Sequence, residues 1–286
     1  MSFLKNPEWI EQYAFPQNTL EEVPADAFER INLLLDRLQQ GYPVVSIIIS
    51  AWNEEVAILR TISSLAATVT QHPLEIIVIN NNATDRTQET IDRLHIRHCF
   101  QPVQGWGPAR QMGLEQARGT YILTADADCF YPSCWVDHMM ASLTRPGMVC
   151  VYGRYSFIGE KGLARWKLAL LEYLKNGIAA AREFNRPFLN AYGMSMGFLR
   201  EEALKVGFVM HKIRGEDGRL CYDLMQHGRV APVTARAARV WTGARTLRQD
   251  GSFSRALTLR ILKELKQLRT LLRPLPMHNT KTSTNS

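Results

Sequence analysis

Nowhere in its 286 residues does the chain string together the roughly 20 apolar residues that a bilayer-spanning helix needs. Its longest aliphatic stretches, such as Val44 to Ile49, stop far short, so no segment is expected to cross a membrane. The opening residues, MSFLKNPEWIEQYAF, lack the apolar centre of a secretory signal. Cysteine is scarce as well: Cys99, Cys129, Cys134, Cys150 and Cys221 make an odd number in a long chain. That pattern argues against a disulfide scaffold and is read as the reduced thiols of a cytosolic protein. Acids are in deficit, 27 Asp plus Glu against 34 Lys plus Arg, and the resulting +7 favours anionic partners.

Several binding signatures are missing too. The glycines of "GWG" (105–107) are no dinucleotide fingerprint, because Arg110 stands where the third glycine belongs and the loop does not follow the first strand. A nucleotidyltransferase would show a Gly-rich, cation-bearing phosphate loop after its first strand, and "SAWNEE" (50–55) has neither feature. No stripe of aromatics interleaved with cations is present, which argues against nucleic acid as a partner. Cys129, Cys134 and His138 lack a fourth ligand nearby and so make a poor zinc site. His211 is read as a loop histidine, with a third metal ligand as the other reading. Internal repeats and low-complexity tracts are absent, and only the last residues, "HNTKTSTNS", are expected to be disordered.

What remains is a core-forming chain with 46% hydrophobic residues, enough for one large domain or two small ones. Three short β-branched runs stand out: "VVSIIIS" (44–50), "LEIIVIN" (74–80) and "TYILTAD" (120–126). Continuous apolar strands predict a sheet covered on both faces. Helical spacing fills the gaps, from Val56 to Leu65 and from Ala109 to Ala117, so the fold class is α/β with a mostly parallel sheet flanked by helices. Residues 1–43 form a lead-in with a helix from about Ala25 to Gln39. Beyond the third strand come β-like "MVCVYGRYSF" (148–157), a helix from about Leu163 to Phe184, irregular "PFLNAYGMSMGF", a helix from Glu216 to His227 and a β-like stretch from Val230 to Trp241.

A basic amphipathic helix is expected over 246–275, before a tail at 276–286. Leu257, Ile261, Leu265, Leu268 and Leu272 form its stripe, and Arg255, Arg260, Lys263, Lys266, Arg269 and Arg273 sit beside it. Such a helix either lies on an anionic membrane surface or packs its stripe on the rest of the protein. "GLARWKLALLEYLKNG" (162–177) is likewise amphipathic and basic, with Trp166, Leu170 and Leu174 on one side.

The chemistry is concentrated where the strands end. Asp126 and Asp128 lie two apart, so on a strand they share a face and point into the crevice beyond its carboxyl end. A divalent cation would relieve their repulsion, and hard oxygen donors suit Mg²⁺ or Mn²⁺. The alternative is that the acids cap the turn into the helix near Pro132 to Leu143. At the end of the first strand Trp52 offers an indole for a planar base, while Asn53 and Glu54-Glu55 also read as a helix start. "NNNATD" (80–85) supplies three amides, then Thr84 and Asp85 as a cap.

In this order "VSIIISAWNEE", "LEIIVINNNATDRT", "GWGPARQMGLEQARGTYILTADAD", "MSMGFLREEALKVGF" and "GEDGRLCYDLMQHGRV" resemble the inverting glycosyltransferases of family 2, which have a GT-A fold. The likeness covers residues 44 to about 230. It implies a GT-A-type nucleotide-diphospho-sugar transferase, with a catalytic domain over 44–245 whose 44–130 half binds the nucleotide and whose 131–245 half receives the acceptor. By the resemblance Trp52 stacks on the base with Ala51 and Asn53 lining its pocket, and Asn80 and Asn81 read the base edge. The family usually carries an Asp at that spot, and amides in its place favour UDP over GDP. Arg110 matches an arginine that reaches the nucleotide, Asp126 takes the ribose, and Asp128 binds Mn²⁺ or Mg²⁺ on the diphosphate. Gly193, Met194 and Ser195 border the acceptor, and Arg245 or Arg248 approaches the diphosphate from a loop.

An inverting transfer needs a general base for the acceptor hydroxyl. The resemblance assigns that role to Asp217, the second acid of "RGEDGRL", with Glu216 beside it; capping of the helix start is the other reading of both. The expected activity is transfer of a sugar from a nucleotide diphosphate to a hydroxyl of a glycan or lipid-linked acceptor, in the cytoplasm or at the inner face of the membrane. A catalytically weak nucleotide-sugar-binding protein, or a polyprenyl-phosphate glycosyltransferase using GDP-mannose, is the alternative.

Overall fold

The computed structural model describes residues 4–160, 162–210 and 215–245. The basic helix expected at 246–275, the tail, His211 and Arg248 lie outside the described residues. After two short 3-10 turns comes helix α1 (Ala25–Leu38), then β1 (Val45–Ala51), α2 (Ala57–Ala66), β2 (Leu74–Asn80), α3 (Thr87–Asp92), β3 (Arg97–Phe100), α4 (Trp106–Gln116) and β4 (Tyr121–Asp126). These units alternate as the periodicity predicts. β3 is the strand that hydropathy hides, because as an edge strand "RHCF" exposes every second residue.

Next come β5 (Cys129–Phe130), α5 (Trp135–Leu143), β6 (Met148–Tyr152), β7 (Tyr155–Phe157), α6 (Arg165–Asn185), β8 (Met196–Leu199), α7 (Arg200–Val206), α8 (Glu216–Leu224), β9 (Arg229–Pro232) and β10 (Val240–Thr242). The stretches expected at 148–157 and 230–241 are each divided between two sheets. A seven-stranded sheet has the order β3-β2-β1-β4-β8-β6-β9, and a three-stranded one has the order β5-β10-β7. Only β8 runs against its neighbours in the large sheet, pairing antiparallel with both β4 and β6. It lay within the segment expected to be irregular. Gly197 at its centre explains why: an added Cβ would come within 2.7 Å of the Leu123 side chain, so the strand gives up β-propensity for close packing.

Alternation along the central strands divides the core in two. Ile47, Ile49, Ile76 and Val78 face one side, where α1, α2 and α5 bury Phe28, Leu35, Leu59, Ile62 and Trp135. Ile48, Ile77, Ile79 and Ile122 face the other, with Leu114 of α4, Phe198 of β8 and Leu220 of α8. The period of two is what sends successive isoleucines to opposite faces. The lead-in is part of the first core, since Leu20, Val23, Phe28, Ile31 and Leu35 are all buried there.

The order β3-β2-β1-β4 places a topological switch between β1 and β4, where the connections leave in opposite directions and open a crevice at the strands' carboxyl ends. In register, Ser50 stands beside Asp126 and Ala51 beside Asn80. Strand pairing therefore brings the end of "SIIISA", the first amide of "NNNATD" and the first acid of "ADAD" to one edge of the sheet.

Candidate active site

β4 ends at Asp126, and residues 127 and 128 form a turn into β5. The two acids thus do not share a strand face, as their spacing had implied; the turn folds Asp128 back. One carboxylate oxygen each from Asp126 and Asp128 and the Cys129 sulfur lie within 4.8 Å of one another. Burial pushes the Cys129 thiol up, and the Asp128 and Asp126 charges push it further, so it stays protonated and is no ligand for a hard cation. Two carboxylates of the right chemistry remain.

Arg110 is the junction of the site. It projects from α4 with its side chain 5% exposed, donating to Asp126 at 3.1 Å, to Glu216 at 3.1 Å and to Asp217. Burial works against its charge, and the carboxylates of Asp217, Asp126 and Glu216 outweigh that and raise its pKa. The resemblance makes Arg110 an arginine that reaches the nucleotide; in the fold it is a buried tie between β4 and α8. Asp217 also accepts the Gly193 N–H at 2.8 Å. Gly193 has to be glycine, because a Cβ there would meet the Arg110 guanidinium at 1.9 Å.

Other expected residues divide into open and enclosed. Trp52 is 46% exposed at the end of β1, available to a stacking base, while Ala51 is buried beneath it. Asn53 caps no helix: α2 begins at Ala57, and Asn53 sits at φ 54° with its side-chain oxygen accepting the Thr84 N–H at 2.8 Å. Asparagine tolerates that left-handed conformation better than most side chains. Asn80 is enclosed, its oxygen accepting the Ala83 N–H and its amide donating to Gln88. Asn81 caps the loop ahead of α4 by accepting the Gly105 N–H at 2.8 Å. Both amides therefore shape the crevice from inside. Ser195 is buried and accepts the Trp135 indole N–H, whereas Met194 is half-buried and offers its carbonyl to the Tyr131 hydroxyl.

Three contributors escaped the sequence reading. Tyr131 accepts the Asp126 N–H at 2.9 Å while donating to Met194, linking β4 to the segment before β8. Glu54, expected in a helix first turn, instead faces Asp128 across Arg245, whose guanidinium bonds Asp128 at 2.9 Å and Glu54 at 3.2 Å. Burial raises the Glu54 pKa against the lowering effect of Arg245. Finally, the lead-in lines the recess beside Asp128 through Ile10, Ala14, Phe15 and Pro16, and Arg60 of α2 pins it by donating to the Phe15 and Gln17 carbonyls. No local signal could have revealed these long-range pairings.

Among the described residues the crevice and the recess beside Asp128 gather the carboxylates of Glu54, Asp126, Asp128, Glu160, Glu216 and Asp217 against the guanidiniums of Arg60, Arg110 and Arg245. Desolvation pushes Asp126 up to about 7, Arg110 opposing and Asp128 and Asp217 adding to the rise. Glu216 is raised too, first by burial and then by Asp217. A surplus of crowded carboxylates beside a recess is the donor set a hard divalent cation fits.

A sheet of this order, with acids at the switch point, defines a GT-A nucleotide-diphospho-sugar transferase fold. The family model described as Glycosyl transferase family 2 matches residues 46–206, more than half of the chain, and the protein belongs to that family. It is a transferase. An uncharacterized glycosyltransferase of Haemophilus influenzae is 29% identical over 126 residues, 42% of this chain and 50% of that protein. A chondroitin synthase of Escherichia coli is 25% identical over 204 residues, 65% of this chain and 29% of that protein. The match thus spans about half or less of these relatives' lengths. Among solved structures, a mannosyltransferase from Pyrobaculum calidifontis in complex with GDP-Man and Mn²⁺ superposes with a TM-score of 0.55 at 16% identity, over 86% of this chain and 77% of that one. A glucosyl-3-phosphoglycerate synthase from Mycobacterium tuberculosis, in complex with Mn²⁺, UDP and phosphoglyceric acid, gives 0.54 at 19% identity over 88% and 87%. At such identities the likeness is one of fold.

Replacing Arg110 by Met leaves three carboxylates without their shared cation and is expected to cost about 3–5 kcal/mol, read from the urea unfolding midpoint. A loss under ~1 kcal/mol would mean the tie is dispensable. A second outcome follows from the raised Asp126 value. Between about pH 4, where this group ionises in the unfolded chain, and pH 7, the folded state holds the extra proton, so this contribution to stability falls as pH rises. Asp126→Asn should show a shallower fall across that window, and identical slopes would remove Asp126 as its source.

Proposed function

We propose that this transferase is a divalent-metal-dependent, inverting enzyme that moves a sugar from a UDP-linked donor to an acceptor hydroxyl, with Asp217 as general base. The observation that carries this reading is the Arg110 junction, through which the acid at the end of β4 and the acids at the start of α8 meet in one crevice. Residues 44–245 are taken as the catalytic unit, 44–130 its donor half and 131–245 its acceptor half.

In the proposed reaction Trp52 stacks on the uracil, Ala51 and Asn53 close the base pocket, and the Asn80–Asn81 loop frames its edge. Asp126 holds the ribose and Asp128 the metal. When bound, Mn²⁺ or Mg²⁺ supplies positive charge where the leaving diphosphate becomes more negative. The acceptor oxygen attacks the anomeric carbon, the bond from that carbon to the phosphate oxygen breaks with its electron pair going to the nucleoside diphosphate, and the hydroxyl proton passes to Asp217. Arg110 and the Gly193 N–H fix that carboxylate's orientation, which counts because proton transfer demands hydrogen-bond reach. Glu216 keeps Arg110 in position, and Gly193, Met194 and Ser195 form the wall behind the acceptor. Mn²⁺ in the mannosyltransferase and the glucosyl-3-phosphoglycerate synthase complexes supports the metal, and UDP in the second supports the donor.

A lipid-linked acceptor at a membrane surface is favoured by one further observation. α6 exposes Trp166, Leu170, Tyr173 and Leu174, residues spaced to share one helical face. Among the described residues no helix is long and apolar enough to cross a membrane.

Two measurements test these statements. Calorimetry should find UDP binding that needs Mn²⁺ and exceeds GDP binding, and Asp217→Asn should keep that binding while transfer drops about 10²- to 10⁴-fold; near-normal turnover in Asp217→Asn removes it as the base. In flotation at physiological salt the protein should rise with anionic vesicles, and Trp166→Ala with Leu170→Ala should reduce the bound fraction. Failure of the wild type to float retires the membrane reading.

A further inference from the structure

Asp126 and Asp128 are served by different arginines, and the two pairings differ in how firmly they are closed. Asp126 bonds Arg110, whose side chain is 5% exposed and which Glu216 and Asp217 also hold. Asp128 bonds Arg245, whose side chain is 56% exposed. The first guanidinium is enclosed by the fold; the second lies over its carboxylates from the solvent side.

Arg245 reaches two acids at once. Its Nη2 donates to Glu54 Oε1 and, at 2.9 Å, to Asp128 Oδ2, while Nη1 donates to Glu54 Oε2 at 3.2 Å. One nitrogen is therefore shared between two carboxylates, both of them more enclosed than Arg245 itself. Without a cation between them, acids set so close would repel one another with little water to screen them. The backbone does not depend on this contact. Arg245 follows β10, and the chain is fixed up to the residue before it: Ala244 is buried, its N–H donates to Glu160 at 3.3 Å, and the Thr242 carbonyl accepts the Ile158 N–H at 2.9 Å. Release of Asp128 requires only the rotation of one exposed side chain, a fast motion that moves no element of the core.

We propose that Arg245 is a built-in competitor for the metal: it covers the Asp128 carboxylate in the absence of donor and yields it when a nucleoside diphosphate and a divalent cation arrive together. A cation that comes alone must take the carboxylate from Arg245 and stand against a guanidinium at close range, so it binds weakly. A diphosphate changes the balance, because its oxygens give the displaced guanidinium a new partner and the cation further ligands. Free metal is thereby kept off the crevice, and metal binding is coupled to donor binding. The inference rests on the reading of Asp128 as the metal's carboxylate.

The test measures Mn²⁺ binding to the full chain, wild type and Arg245→Gln, from the electron paramagnetic resonance signal of the free ion. Each protein is titrated with and without UDP, and the Mn²⁺ taken up by UDP alone is subtracted. Thermal melts establish that the variant is folded. Without UDP, Arg245→Gln should bind Mn²⁺ about tenfold more tightly than the wild type, the scale of a charge-assisted hydrogen bond partly open to solvent. With saturating UDP the two should differ by less than about twofold, the diphosphate having relieved the competition. A gain of equal size with and without UDP is a through-space effect of the lost charge, and it overturns the competitor as surely as no gain does. Adding Asp128→Asn to the variant should abolish the gain; a gain that persists places the ion elsewhere and also overturns it. Failure of the metal reading looks different: neither protein binds Mn²⁺ even with UDP, and the inference falls with it, whereas Mn²⁺ bound equally by both proteins removes the inference alone.

Discussion

The site depends on one buried guanidinium. Arg110 spans the sheet end and α8, whose partner acids lie 16 and more than 100 residues from it in sequence, and its three carboxylate partners are why they stay together. A cation so enclosed is tolerable only because it is shared, since a charge moved out of water must recover its lost hydration from paired groups. Much of the local structure serves that placement. Asn81 fixes the loop ahead of α4, Gly113 lets α4 close onto Ile48 of β1, and Gly193 leaves room for the guanidinium itself.

The strand-end crevice carries more carboxylate than cation, and its burial works against ionisation, as the raised values of Asp126, Glu54 and Glu216 record. Arg245 offsets part of the deficit by lying between Glu54 and Asp128, where the fold itself supplies a positive group.

Much of the framework was legible in the chain. "LEIIVIN" became β2 with the bounds read from it, and the runs around 44–50 and 120–126 became β1 and β4 to within a residue, because fully buried parallel strands announce themselves as unbroken β-branched sequence. The helix from Ala25 was equally plain in its apolar stripe. β3 and β8 were not: the first is a polar edge strand, and the second carries a glycine whose value is steric fit to Leu123. Within the site, Trp52 and Asp217 could be singled out by position, but Ser195 looked accessible and is buried, and Asn80 looked available and is spent within its own loop. Exposure and satisfaction of polar atoms are properties of packing, and no spacing encodes them.

By itself, then, the amino-acid order determined which segments alternate, which face each isoleucine takes and where the acids fall relative to strand ends, since these follow from backbone periodicity and turn chemistry. Only tertiary structure decided that Arg110 is a buried tie, that Arg245 meets Asp128 and that the lead-in walls the neighbouring recess. The reason is that those contacts join residues far apart in the chain, and their energies depend on how much water is removed from around each charge, a quantity that exists only once the elements have packed.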